Sequence, residues 1–271
     1  MWTEDSAGEH PAKAEQTQPD APLADIDSEP VTALEQIEVE EPCEDPGEAD
    51  ASSPAVSAVP STPPIVDVHD LDWTRIGESL EPGALRARMN ETVERLEALL
   101  DSPREAAMLF DDHRQNPSDR AIAVVALSDE PLWFIGDIHG DLLALDAALA
   151  LIRREASREN VDHPRIVLLG DLFDDGGFGL EVLLRVFELI LERPQALCLI
   201  AGNHDESLGY DGARFTATVS PSDFSDFLNE NLTHEWIGRA GKLAVRITDR
   251  APRALFFPDG LLVTHGGFPL A

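Results

Sequence analysis

Leu132-Trp133-Phe134-Ile135-Gly136-Asp137-Ile138-His139-Gly140-Asp141 is the run of residues on which the reading of this chain turns. Four apolar residues predict a short strand, Gly136 ends it, and the polar residues after it open onto a predicted helix over Leu142–Arg154. Buried strands of this kind deliver side chains at their C-terminal ends, into the crevice where α/β proteins place ligands. Asp137 and His139 stand two apart and share a side while the chain stays extended. An oxygen donor beside an imidazole suits Mn, Fe or Zn better than Ca or Mg. Alone, the pair is a weak signal and is better read as a plain turn and helix start.

Downstream the pattern recurs. Predicted strands over Arg165–Leu169, Ala196–Ile200 and Leu261–Thr264 run into Gly170-Asp171-Leu172-Phe173-Asp174, Gly202-Asn203-His204-Asp205 and His265-Gly266-Gly267. Each of these ends joins a glycine to a carboxylate, amide or imidazole, as is needed where backbone closely approaches an ion and its substrate. Helices are predicted over Gly179–Glu192 and Pro221–Asn231, the second capped by Ser220 or Ser222. Further strands are predicted over Leu243–Ile247 and Ala254–Phe257, and the alternation as a whole argues for a layered α/β domain.

The four motifs, in this order, resemble those of the calcineurin-like metallophosphoesterase family. Their wording leans toward its serine/threonine phosphoprotein phosphatase branch, and the match runs over about residues 130–271. The resemblance implies an α/β fold in which a layered β-sandwich is flanked by helices (αββα). It implies two divalent transition-metal ions, with Mn²⁺ the first choice and Fe or Zn next, and hydrolysis of a phosphate ester by a metal-activated hydroxide without a phosphoenzyme. Asp137 and His139 would hold the first metal, Asp171 would bridge, and Asn203 and His265 would bind the second. His204 would protonate the leaving oxygen, with Asp174 orienting it and favouring its charged form. Asp141 and Asp205 read as caps or buttresses of their turns.

Two departures bear on substrate and activity. The phosphoprotein phosphatases place an arginine after the second aspartate of the second motif and another before the third motif, where this chain has Asp175 and Ala201. Arginine grips a phosphoryl group through a bidentate fork, and an aspartate repels it. Arg214 is the candidate to supply that charge from a loop. The alternative is a phosphodiester, nucleotide or pyrophosphate substrate, so the expected partner is a phosphorylated small molecule or another phosphoester. The family also has a further histidine motif downstream, whereas this sequence ends at Ala271, six residues after His265. A C-terminally incomplete domain with the second metal one ligand short is therefore expected. A degenerate domain that binds a metal or a phosphorylated ligand is the second reading.

Preceding the domain are two regions of different character. Residues 1–65 are rich in Glu, Asp, Ala, Pro, Ser and Thr, and cannot bury enough apolar area to offset their ordering entropy. They read as a disordered acidic tail, with a transient helix at most over Val31–Val39. Residues 66–128 read as a helical segment, either a helical cap or a brace packed on the domain at 129–271. Glu81-Pro82-Gly83 opens a helix carrying Leu85, Met89, Val93, Leu96, Leu99 and Leu100. A second helix is predicted over Arg104–Arg114 and a strand over Ala121–Leu127.

Charge excludes several partner classes. The chain has a formal charge of −32, and residues 1–66 carry 16 carboxylates and one lysine. Such a surface repels nucleic acid and anionic membrane, and admits a basic protein partner for the tail. No apolar run approaches a membrane span. Cys43 and Cys198 suggest no disulfide framework, and with no signal peptide in view a cytoplasmic location is expected. His10, His69, His113 and His163 read as surface residues, and His234 as a minor candidate.

Overall fold

A computed structural model describes residues 66–102, 107–125 and 130–267. The acidic tail, with Val31–Val39, His10 and Cys43, lies outside them. Among the described residues no helix is long and apolar enough to cross a membrane.

The N-terminal helices form as their caps and periodicity dictate. Asp72 caps α1 (Trp73–Leu80) by accepting from the Arg75 amide, and Glu81 caps α2 (Pro82–Asp101) with Pro82 in its first turn. Leu85, Met89, Val93 and Leu96 make a stripe along α2 that is buried against the domain. The strand β1 (Ala121–Ala123) follows, then β2 (Leu132–Ile135) and α3 (Leu142–Arg158), whose cap is Asp141. Next come β3 (Arg165–Leu168), α4 (Gly179–Glu192), β4 (Leu197–Leu199) and the short α5 (Asn203–Ser207). A two-stranded ribbon of β5 (Gly209–Tyr210) and β6 (Phe215–Thr216) leads to α6 (Asp223–Glu230) and α7 (Glu235–Thr248). Strands β7 (Ala254–Phe256) and β8 (Leu262–Thr264) close the described chain.

These strands make two principal sheets. One is parallel in the order β2-β3-β4, and the other has the order β1-β7-β8, with β1 parallel and β8 antiparallel to β7. Strand alternation sorts the core into two layers. Ile166, Leu168, Leu197 and Leu199 pack with the helices. Val167 and Cys198 point the other way, against Ile122, Leu255 and Val263 of the second sheet. Helices, first sheet and second sheet are therefore stacked in that order. Cys198 is a free thiol buried between the sheets, pushed up to about 12 by burial, and is inert there.

The brace is tied down at both ends. Arg75 pairs with Asp146 of α3 at 2.8 Å, Arg88 with Glu188 of α4 at 2.7 Å, and Glu97 with Arg239 of α7 at 2.5 Å. Beyond those ties, β1 belongs to the second sheet, so the chain before residue 129 also supplies sheet structure.

Two predicted elements are corrected. Leu243–Ile247 is part of α7: its alternation suits a strand, but Ile237, Ala240, Leu243, Ala244 and Ile247 recur at helical spacing and are the residues buried. Within Arg104–Arg114 the described part is a turn and one 3₁₀ turn, Asp111–His113. Leu109 and Phe110 there leave helical spacing to fill the space between the sheets, and Phe110 takes φ 72°.

Candidate metal centre

The four motifs meet at the C-terminal ends of β2, β3, β4 and β8, so donors from both sheets converge. Asp171 is at the middle. Its Oδ2 lies 3.6 Å from His139 Nε2 and 3.3 Å from His265 Nε2, while its Oδ1 accepts from the His204 amide at 2.9 Å. Asp137, His139 and Asp171 bring one donor atom each within 4.8 Å of one another. On the other side, His265 Nε2 is 3.1 Å from Asn203 Oδ1, and His265 Nδ1 is 3.5 Å from Asp137 Oδ1. The carbonyl of Leu169 can only accept, so the 2.9 Å contact from His265 Nδ1 puts the proton there and turns Nε2 toward Asp171 and Asn203. Asp137, His139, Asp171, Asn203 and His265 are thus all brought together.

Behind the donors, backbone hydrogen bonds stitch the loops. The amides of Ile138 and His139 both donate to the Asp171 carbonyl, at 3.0 and 2.8 Å. Asp205, fully buried, accepts from the amides of Asp171 (2.7 Å), Leu172 (3.1 Å) and Gly202 (2.9 Å), and so joins the second motif to the third. The buttress role expected for it holds, and Asp141 caps α3 through the Ala144 amide as expected. His139, Asp171, Asp174 and Asp175 all take positive φ, between 45° and 74°. Asp and His are among the few side chains that tolerate this region.

Gly202 is required by the packing of these loops. A Cβ there would sit 2.1 Å from Asp171 Oδ1 and 2.5 Å from Asp171 N. Gly202→Ala is expected to displace the central carboxylate and weaken Mn²⁺ binding by about 10–100-fold, the usual cost of disturbing a ligand's support. Calorimetric titration with Mn²⁺ checks this, and wild-type affinity would contradict it.

His204 and Asp174 form a separate pair beside the cluster. His204 Nδ1 meets Asp174 Oδ2 at 2.8 Å, and Asp174 Oδ1 accepts from the Phe224 amide at 2.8 Å, anchoring the pair to α6. Burial pulls the imidazole pKa down, but the hydrogen bond to Asp174 and the charges of Asp171, Asp174 and Asp175 outweigh it, leaving the net shift upward.

The electrostatics suit cations. Among the described residues no lysine or arginine pairs with Asp137, Asp171, Asp174, Asp175 or Asp205, and their ion-pair partners are histidines. The Asp171 side chain is 5% exposed. A buried carboxylate (Asp171) and an exposed one (Asp137), faced by imidazole nitrogens and an amide oxygen and without lysine or arginine partners among the described residues, form a donor set that divalent transition metals satisfy. The residues present fit such ions.

Arg214 lies on a loop, as expected of it. It stands in the β5–β6 turn with its side chain 73% exposed, and its guanidinium pairs with Asp211 at 3.8 Å. The turn explains its position, since Asp211 Oδ1 accepts from the amides of Ala213 and Arg214. Arg253 is a residue that motif reading missed. It lines a cavity of about 540 Å³ with Asn203, Glu206, Phe256 and His265. Arg253 and Arg120 both bind Glu206, at 2.5 Å each. No local signal marks Arg253, which reaches the site through the pairing of β7 with β8. His234 precedes α7, outside the donor cluster.

Known proteins are similar to parts of this chain. The serine/threonine-protein phosphatase 6 catalytic subunit of Caenorhabditis elegans is 28% identical over 137 residues, 51% of this chain and 36% of that one. The serine/threonine-protein phosphatase 4 catalytic subunit of Candida glabrata is 38% identical over 81 residues, 30% of this chain and 24% of that one. A solved protein serine/threonine phosphatase from Saccharomyces cerevisiae aligns with a TM-score of 0.40 at 16% identity, over 73% of this chain and 55% of that one. The chain spans well under half the length of these curated relatives. The calcineurin-like phosphoesterase pattern matches residues 130–269, half of the chain, and the protein belongs to that family.

Proposed function

We propose that the domain hydrolyses phosphate esters of small molecules with two divalent transition-metal ions, Mn²⁺ foremost. The observation that carries this reading is the convergence of Asp137, His139, Asp171, Asn203 and His265 beside the His204–Asp174 pair. Two such ions, when bound, supply a nucleophile at neutral pH and charge stabilisation for the phosphoryl oxygens. Asp171 is the carboxylate shared between the donors of the two sides. His204 has Nδ1 committed to Asp174, so Nε2 is the atom that would give a proton to the leaving-group oxygen. Asp174 is a positioning residue that keeps the ring oriented and charged. Arg253, on the cavity beside Asn203 and His265, offers the substrate a cationic contact. A small phosphoester is favoured over a phosphoprotein because Asp175 stands beside the cluster with no arginine paired to it.

The test is turnover of p-nitrophenyl phosphate and bis(p-nitrophenyl) phosphate with Mn²⁺, Zn²⁺ or Fe²⁺. His204→Ala is expected to lower kcat by roughly 10²–10⁴-fold while leaving Mn²⁺ affinity near wild type. A folded protein inert toward both esters with all three metals would instead be a binding module.

A further inference from the structure

Each of the three histidines at the site presents Nδ1 to an oxygen. For His265 it is the Leu169 carbonyl at 2.9 Å, and for His204 it is the Asp174 carboxylate at 2.8 Å. For His139 it is Asp175, whose Oδ2 lies 3.6 Å from Nδ1, a few tenths of an ångström beyond a hydrogen bond. Nδ1 of His139 is buried and has no hydrogen-bond partner, Asp175 being its nearest ion-pair oxygen. Its Nε2 faces Asp171 Oδ2, also at 3.6 Å. An imidazole whose Nδ1 is shut away from water beside a carboxylate, and whose other nitrogen faces a donor cluster, is arranged as an oriented metal ligand.

Asp175 is placed with care for a half-exposed side chain. Its amide donates to Asp223 Oδ1 at 3.1 Å. The turn before it is held by Asp174, which is bonded to His204 and Phe224, and the Gly176 amide closes on the Asp174 carbonyl at 2.7 Å. Both Asp174 and Asp175 take positive φ, 74° and 62°. The fold thus keeps a carboxylate beside His139 in an unusual backbone conformation.

We propose that Asp175 is a positioning residue for His139: it accepts the Nδ1 proton, fixes the ring's tautomer and orientation, and so strengthens Nε2 as a ligand. The inference rests on the metal-site reading above and gives Asp175, whose carboxylate stands within 4.8 Å of donor atoms of both His139 and His204, a supporting role in place of a ligand's. It also changes the meaning of the aspartate at this position, from a missing phosphate contact to a support for metal binding.

Asp175→Gly removes the carboxylate yet suits a φ of 62°, and Asp175→Asn keeps an acceptor oxygen in the same place. Calorimetric titration of the full chain with Mn²⁺ alone should show binding about 10–100-fold weaker in Asp175→Gly, with unchanged stoichiometry and partial recovery in Asp175→Asn. In parallel, ¹⁵N spectra of histidine-labelled, metal-free protein should show a larger Nδ1–H share for His139 in wild type than in Asp175→Gly, where Asp171 at Nε2 is the carboxylate left to accept the proton. Wild-type affinity in Asp175→Gly, or the loss of one whole metal from its stoichiometry, would overturn the proposal, the latter because Asp175 would then be a ligand itself. Since the spectra need no metal, an unchanged His139 tautomer overturns the proposal even if Mn²⁺ binds to neither protein. Absent Mn²⁺ binding with the expected tautomer change would instead count against the metal-site reading.

Discussion

Asp171→Asn is expected to abolish phosphoester turnover and weaken metal binding beyond the roughly 100-fold that losing a supporting partner costs. It should also leave the metal-free protein at least as stable as wild type. The two halves of this prediction share one cause. Asparagine has the same shape, and its oxygen can still accept from the His204 amide, as Asp171 Oδ1 does. The other position becomes an NH₂ group, which donates toward His139 and His265 and offers no lone pair to a cation. In the metal-free protein Asp171 is a buried carboxylate that accepts from the His204 amide and faces the His139 and His265 rings, with no lysine or arginine paired to it among the described residues. Asparagine takes the charge out of the interior and keeps the acceptor for that amide. Melting temperature with and without Mn²⁺ reads both effects: wild type should rise on adding metal, and the variant should start no lower and stay flat. A variant with the wild-type metal response would show that Asp171 is not the shared ligand.

Asp205→Ala should be the most destabilising single change at the site, and its cost should depend on pH. The substitution orphans three buried amides, at about 1–3 kcal/mol each, or roughly 6 kcal/mol in all. Burial pushes the Asp205 carboxyl up to about 6 from 3.8, against the pull of the amides of Gly202, Leu172 and Asp171, with the Asp171 charge adding to the rise. A raised carboxyl means that the folded state holds the proton more tightly than the unfolded chain. Asp205 therefore carries no ionisation penalty below about pH 4 and its full penalty, roughly 3 kcal/mol, above about pH 6. Alanine has no such penalty, so the variant's deficit should shrink from roughly 6 to roughly 3 kcal/mol across that window. Urea unfolding of metal-free protein at pH 3.5 and 7.5 measures both values. Equal deficits at the two pH values would contradict the linkage. Asp205→Asn, which keeps an oxygen for the Asp171 and Gly202 amides and sets an NH₂ against Leu172, should lie between alanine and wild type.

The site was legible where chemistry is local. Asp137, His139, Asp171 and Asn203 each follow a strand and a glycine, and His265 follows a strand and precedes two glycines, a pattern visible without tertiary structure, and all five converge. What depended on contacts far apart in sequence was not legible. Arg214 carries the charge that motif reading wanted, but its own turn claims it through Asp211. Arg253 lies on the cavity because β7 pairs with β8, and nothing around it announces a site. Leu243–Ile247 alternates like a strand over five residues, and its helical period shows only when Ile237 and Ala240 are included. The three-residue β1 joins the second sheet through a parallel pairing with β7 more than a hundred positions away, which no local propensity encodes.

His265 differs from the other donors in its attachment: it follows β8 of the second sheet, whereas Asp137, His139, Asp171 and Asn203 follow strands of the first. A cation shared by these side chains is therefore also a rivet between two layers that otherwise meet through apolar contact and a few polar ties such as His265 to the Leu169 carbonyl. It closes a long chain loop from the second motif to the fourth, and loop closure of that length removes much of the unfolded chain's freedom. Metal supply would then govern how long the folded molecule survives as well as how fast it turns over, and starvation for metal would first loosen the seam along which the two sheets meet.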